Sequence, residues 1–172
     1  MNRKQSAFLS RALLSTSVIA TAQRNKLYSE GSSTEARKQF RTALREALKK
    51  LLLEYRKSVS DERHCANIER LSTELSAKHK KALNDKRFRI GSAQKALNLY
   101  LKFMWCLGRI RQPPHCPFDA IVLAEIPDSK TVKWTQLDDI SVYQEIVSNA
   151  RKQAGKTSLA NWEMEIYGKR KP

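Results

Sequence analysis

The chain has 172 residues, 41% of them hydrophobic and 29% charged, proportions that exclude a wholly disordered basic tail and fit a folded globular protein. Lys and Arg total 33 against 17 Asp and Glu, a formal net charge of +16 that draws polyanions and predicts binding that weakens as salt rises. Five glycines and five prolines, mostly at segment ends, supply too few turns for a many-stranded sheet and predict an all-α fold.

From Ser6 to about Thr21, Phe8, Leu9, Ala12, Leu13 and Ile19 recur at helical spacing. Asn2-Arg3-Lys4 ahead of the run Ala7 to Ala20 has the outline of a secretory leader, but Arg11 interrupts the apolar part. The acid-free spread of Arg3, Lys4, Arg11, Arg24 and Lys26 has the flavour of a transit peptide and fits a basic amphipathic surface helix equally well. Residues 1–30 are therefore read as a peripheral N-terminal helix, ahead of a helical domain spanning 31–172. No run approaches the ~18 apolar residues of a membrane span, so no membrane partner is expected.

Gly31-Ser32-Ser33 breaks the chain before Thr34, after which Ala36, Phe40, Ala43, Leu44, Ala47, Leu48, Leu51, Leu52 and Tyr55 form one stripe. Arg37, Lys38, Arg41, Arg45, Lys49 and Arg56 occupy the opposite face. Ser60 followed by Asp61 and Glu62 is a helix start, with an oxygen to cap free amides and acids to suit the dipole. Its stripe is Cys65, Ile68, Leu71, Leu75 and His79, and Asn84-Asp85 offers the turn that follows.

A basic loop, Lys86 to Ser92, then leads into a helix from Ala93 to Leu107 with Ser92 as its expected cap. That helix is apolar nearly all round, the pattern of a buried centre. Gly108 ends it, and Pro113, Pro114 and Pro117 make a connector that cannot continue it. Phe118 to Ile126 fits either a short helix or a strand. Thr135-x-x-Asp138 resembles a capping box for a helix bearing Ile140, Tyr143, Ile146 and Val147, closed by Gly155. Thr157 or Ser158 opens a last helix with Leu159, Trp162 and Ile166, closed by Gly168 before a Lys169-Arg170-Lys171 tail. The expected architecture is a compact bundle of about six helices around the central one.

Charge is unevenly placed. Lys78, Lys80, Lys81, Lys86, Arg87 and Arg89 fall together with one acid, Asp85, whereas Asp119, Glu125, Asp128, Asp138, Asp139 and Glu145 outnumber Lys130 and Lys133. This predicts one binding face for nucleic acid, DNA or RNA, centred on Lys78 to Ser92 and supported by Arg109 and Arg111. Phosphate would sit at Gly91 and Ser92, where a helix start offers unpaired amides. Trp105, Trp134 and Trp162 read as core anchors, with Trp134, beside Lys133 in a loop, the one placed to stack on a base.

His64-Cys65, His115-Cys116 and Cys106 lack metal-ligand spacing, so no metal is expected, and they read as core cysteines with capping or surface histidines. An odd number of cysteines argues for a reducing, cytoplasmic setting. No glycine-rich nucleotide fingerprint or nucleophile elbow occurs, and no cofactor is expected.

Ile90-Gly91-Ser92-Ala93-Gln94-Lys95-Ala96, the apolar helix, and Pro117-Phe118-Asp119 together resemble the active-site segment of the helix-hairpin-helix DNA glycosylases. The resemblance implies Gly91 as a hairpin glycine, Lys95 as the nucleophile and Asp119 as the catalytic carboxylate. A plainer reading makes Lys95 an exposed first-turn residue and Asp119 a cap. Three functions are thus open: nucleic-acid binding, glycosylase or lyase chemistry, and a helical module that docks an acidic protein partner or a second copy through its first helix.

Overall fold

Buried small and apolar side chains on one helix organise this protein. The computed structural model describes residues 2–22 and 26–169, so Arg24 of the basic N-terminal stretch and Arg170 and Lys171 of the tail lie outside the described residues. Among those described, the helices are α1 (Arg3–Ala22), α2 (Thr34–Leu52), α3 (Asp61–Lys78), α4 (Ile90–Cys106), α5 (Ala120–Ala124), α6 (Ile140–Ala154) and α7 (Leu159–Gly168), with no strand. The fold is all-α. Ala93, Ala96, Leu97 and Leu101 place α4 at the centre, with α1, α2, α3 and α6 packed on it.

The most extensive helix–helix contact is α1 on α4, so α1 is not peripheral. It also buries the face opposite to the one that Phe8 and Ile19 mark. Ser6, Leu14, Ser17, Val18 and Thr21 face inward, while Phe8 is 63% and Ile19 52% exposed. Small side chains let the two backbones approach closely. The hydroxyls of Ser10, Ser17 and Thr21 each donate to the carbonyl four residues earlier, at 2.8–2.9 Å, and need no partner on α4. Beyond α1, an isolated antiparallel bridge between Tyr28 and Leu83 ties the linker to the loop after α3.

Local signals set most other boundaries. Ser33 caps α2, whose Phe40, Leu44, Leu48 and Leu51 are buried, and Ser60 caps α3 by accepting from the Arg63 amide. Gly108 (φ 67°) and Gly155 (φ 62°) end α4 and α6 in left-handed conformations that suit glycine. The ambiguous segment after Pro117 is the single-turn α5. Asp139 caps α6 in place of the expected Thr135 box.

The start of α4 departs further from expectation. The helix begins at Ile90, with Ser92 buried inside it and not at its cap. The Gly91 amide donates to Leu137 O at 2.8 Å, and the Ile90 amide lies 3.4 Å from Asp138 Oδ1. A tertiary segment thus satisfies amides that a capping side chain usually serves.

Candidate nucleic-acid interface and a buried polar relay

The loop before α4 is held by α3. The Phe88 amide donates to Ser76 Oγ at 2.8 Å, and Ser72 Oγ donates to Phe88 O at 2.6 Å, so serines one turn apart satisfy both backbone groups of one residue. The Phe88 ring packs edge-on against Phe40 at 5.2 Å. On either side, Arg87 forms a two-pronged pair with Asp138, and Arg89 pairs with Asp85. Asp138 belongs to the acidic segment, so the expected polarity is partly neutralised where the two segments meet.

The phosphate seat expected at Gly91 and Ser92 is already filled. Both residues are buried, and a Cβ added at Gly91 would come within 1.7 Å of Trp134 O. The segment from Trp134 to Asp138 covers the helix start and takes up its amides, leaving no open anion site there.

What remains of the basic cluster lies at the end of α3. Lys78, Lys80 and Lys81, with Ala36, Gln39 and His79, line a concavity of about 320 Å³. Among the described residues neither these three lysines nor the exposed Lys86 joins an ion pair. Burial and the neighbouring Lys78 charge push the His79 pKa below its usual value. Arg109 and Arg111 are exposed but follow the far end of α4, whose length is about 25 Å. The Arg111 amide donates to Tyr55 O at 3.1 Å, which places them beside Arg56 and Lys57. The predicted cations therefore form two basic ends and not one face.

Lys95 and Asp119 do come together, 3.9 Å apart, with side chains only 13% and 15% exposed. Lys95 is therefore not an exposed residue. Its ammonium also sits 4.2 Å from the centre of the Trp134 ring, a cation–π contact. Trp134 is buried, so its ring is a floor for Lys95 and not a platform for a base. Asp119 does act as a cap, since Oδ1 accepts from the Ile121 and Val122 amides, and its Oδ2 accepts from the Tyr167 hydroxyl at 2.7 Å. Nearby, Lys102 bridges to the buried carboxylate of Glu163 at 2.6 Å, and burial pushes the Glu163 pKa up.

The largest polar feature is one that composition and periodicity concealed. His64 and His115 are both buried, with rings 4.5 Å apart and edge-on, so they are neither caps nor surface residues. Partner chemistry fixes their tautomers. Asn98 Oδ1 can only accept, so His64 Nε2, at 2.8 Å, carries a proton, and its Nδ1 accepts from the Tyr55 hydroxyl at 2.6 Å. Asn98 Nδ2 can only donate and faces Cys116 O, the Tyr143 oxygen and Gln94 Oε1. The Tyr143 hydroxyl therefore donates to His115 Nδ1 at 2.8 Å, leaving the His115 proton on Nε2. Asn67 donates to the Tyr55 oxygen at 3.3 Å and to Glu54 at 3.2 Å, which begins the series.

The relay thus runs in one direction from Asn67 through Tyr55, His64, Asn98 and Tyr143 to His115. Burial, first of all, lowers the pKa of both histidines and keeps them neutral. Burial likewise pushes the Tyr55 hydroxyl well above its usual value. Gln94, one turn before Asn98, accepts from the Phe118 amide at 3.1 Å and donates to Phe118 O at 2.8 Å, fastening the proline-rich connector to α4. The sequence signal for this was a polar pair four residues apart on an otherwise apolar helix.

Burial raises the pKa of the Cys65 and Cys116 thiols, and Cys106 is exposed; all three are free. Among the described residues no group of three His, Cys, Asp or Glu is arranged to hold a metal ion, and no helix is long and apolar enough to cross a membrane. No protein-family model, curated protein or solved structure matches this chain.

Proposed function

We propose that the chain binds DNA or RNA through phosphate contacts from Lys78, Lys80, Lys81 and Lys86. The supporting observation is that among the described residues none of these lysines joins an ion pair, and that Lys78, Lys80 and Lys81 line one 320 Å³ concavity, on a chain of net charge +16. Held on a helix end and a fastened loop, they meet a phosphate backbone in a fixed arrangement. Arg109 and Arg111, with Arg56 and Lys57, extend the contact to a second stretch of backbone. Three free cysteines fit a reducing, cytoplasmic setting.

Anisotropy titrations on single-stranded, double-stranded and abasic oligonucleotides over a range of salt test this reading. Replacing Lys78, Lys80 and Lys81 with Gln lowers the slope of log K against log salt by about 2–3, since each phosphate contact contributes ~0.7–0.9. An unchanged slope refutes it.

A second reading, glycosylase or lyase chemistry, is favoured by the Lys95 and Asp119 pairing. Borohydride trapping on abasic DNA decides it, because a Schiff base requires a crosslink that Lys95→Ala abolishes. A third, an acidic protein partner docked on α1, draws on exposed Phe8, Leu9 and Ile19 near Arg3, Lys4 and Arg11. It requires a complex that survives physiological salt while oligonucleotide binding does not.

A further inference from the structure

The lysine-lined hollow at the end of α3 is bounded by two helices. Ala36 and Gln39 of α2 form one side, and the last turn of α3 with the turn at 80–82 forms the other. Ala36, Ala77 and Ala82 carry too little side chain to fill it, so about 320 Å³ stays open, the low end for small-ligand sites. The turn that carries Lys80 and Lys81 is fastened. The Ala82 amide donates to His79 O at 2.9 Å, and the Ser29 amide and hydroxyl donate to Ala82 O and Lys81 O at 3.1 and 3.3 Å. Lys80 and Lys81 therefore leave a backbone already in place, which lowers the ordering cost of binding.

Positive charge is concentrated there. Lys78, Lys80 and Lys81 fall within four residues, and among the described residues no acid lines the hollow. Glu35 reaches it only through Gln39, whose side-chain amide donates to the carboxylate at 3.2 Å. The helix ends on its two sides oppose each other, the start of α2 being positive and the end of α3 negative, so the lysines set the field. His79 lies between them in sequence, its ring edge-on to Phe40 at 5.7 Å. Among the described residues that imidazole makes no hydrogen bond, and as a neutral ring it offers one N–H.

Charge density decides what such a site takes. Phosphodiesters inside a strand carry one charge each and follow a path, which cations spaced along a surface would meet. A terminal phosphomonoester carries about two charges at neutral pH, with three oxygens free to accept. Together with the phosphodiester next to it, a strand end brings about three charges to three lysines. We infer that the hollow receives the terminal phosphate of a nucleic-acid strand, held by Lys78, Lys80 and Lys81 with the His79 imidazole as a further donor. This inference rests on the nucleic-acid reading and adds which part of the strand the site takes. A small phosphate ester has the same chemistry, and the test separates the two sources.

Anisotropy at physiological salt tests it with one short single-stranded sequence in three forms, bearing a 5′-phosphate, a 3′-phosphate or hydroxyls at both ends. A phosphate at one end or the other should tighten binding about tenfold, the equivalent of one further charge-assisted hydrogen bond. Lys80→Gln combined with Lys81→Gln, both exposed positions, should erase that ratio at an unchanged melting temperature. Lys86→Gln, outside the hollow, should weaken all three forms alike. In histidine side-chain NMR, methyl phosphate should shift the His79 signals and dimethyl phosphate, a diester, should not, with buried His64 and His115 as internal references. Equal binding of the three forms overturns the inference and leaves the nucleic-acid reading standing; a His79 shift in that case marks a small phosphate ester as the ligand. An undiminished ratio in the double variant, or equal shifts with both phosphates, overturns it too. No binding of any form refutes the nucleic-acid reading along with it.

Discussion

Replacing Gly91 with Ala isolates the contact that covers the start of α4. Glycine to alanine inside a helix ordinarily stabilises by about 1 kcal/mol. At Gly91 the new Cβ lands 1.7 Å from Trp134 O and 2.8 Å from Trp134 C, both backbone atoms that no rotamer change can move aside. The segment from Trp134 to Leu137 must retreat, at an overpacking cost of roughly 1–3 kcal/mol. Its retreat also weakens the 2.8 Å bond from the Gly91 amide to Leu137 O, a further ~1–3 kcal/mol for a buried donor. Subtracting the propensity gain leaves a loss of about 1–5 kcal/mol, or roughly 2–20 °C in melting temperature for a chain of this size. Urea denaturation with Trp fluorescence measures it, and Gly31→Ala, with nothing within 4 Å of its Cβ, serves as a control expected within about 0.5 kcal/mol of the native protein. If the two variants prove equally stable, the close approach of segment and helix is wrong.

Two more outcomes are expected. On α1, Ser17→Leu should cost about 1–3 kcal/mol by overpacking, while Phe8→Ser and Ile19→Ser stay within about 0.5 kcal/mol; the reverse ranking in thermal melts would show that the helix faces the other way. His64 and His115, neutral when folded, each bind a proton on unfolding below an unfolded pKa near 6.5, so the unfolded state gains protons as pH falls. Stability is therefore full above pH ~6.5 and falls by up to about 2.7 kcal/mol per pH unit below it, toward the lowered folded values. Urea midpoints between pH 7.5 and 5.5 read this slope above the window in which Asp61 titrates, and a flat profile rules out neutral buried histidines.

Helix positions were legible because they depend on residues near one another in the chain. Ser60, Gly108 and Gly155 act through hydrogen bonds and backbone angles within a turn, and the stripe of Phe40, Leu44 and Leu48 needs only helical periodicity. The buried face of α1 was misread because hydrophobicity marks Phe8 and Ile19, whereas close approach to α4 selects Ser6, Ser17 and Thr21 for size. Gly91 and Arg87 were read as anion ligands because their partners, Leu137 and Asp138, lie far along the chain. The pairing of Lys95 with Asp119 could be anticipated only through a family pattern. His64 and His115 drew notice as metal candidates, while of their actual partners Tyr143 lay in an apolar stripe that marked it for burial but not for a hydrogen bond, and Asn98 carried no sign beyond interrupting an apolar run.

The single direction of the relay has a kinetic meaning. Its hydroxyl and imidazole protons between Tyr55 and Tyr143 have no route to solvent short of opening the core, so they exchange only as the fold does. The proton on His115 Nε2 lies 3.4 Å from the partly exposed Asp61 carboxylate, so a smaller opening releases it. One continuous string of hydrogen bonds therefore contains a gradient of exchange lifetimes, slow in the middle and faster at the end beside Asp61.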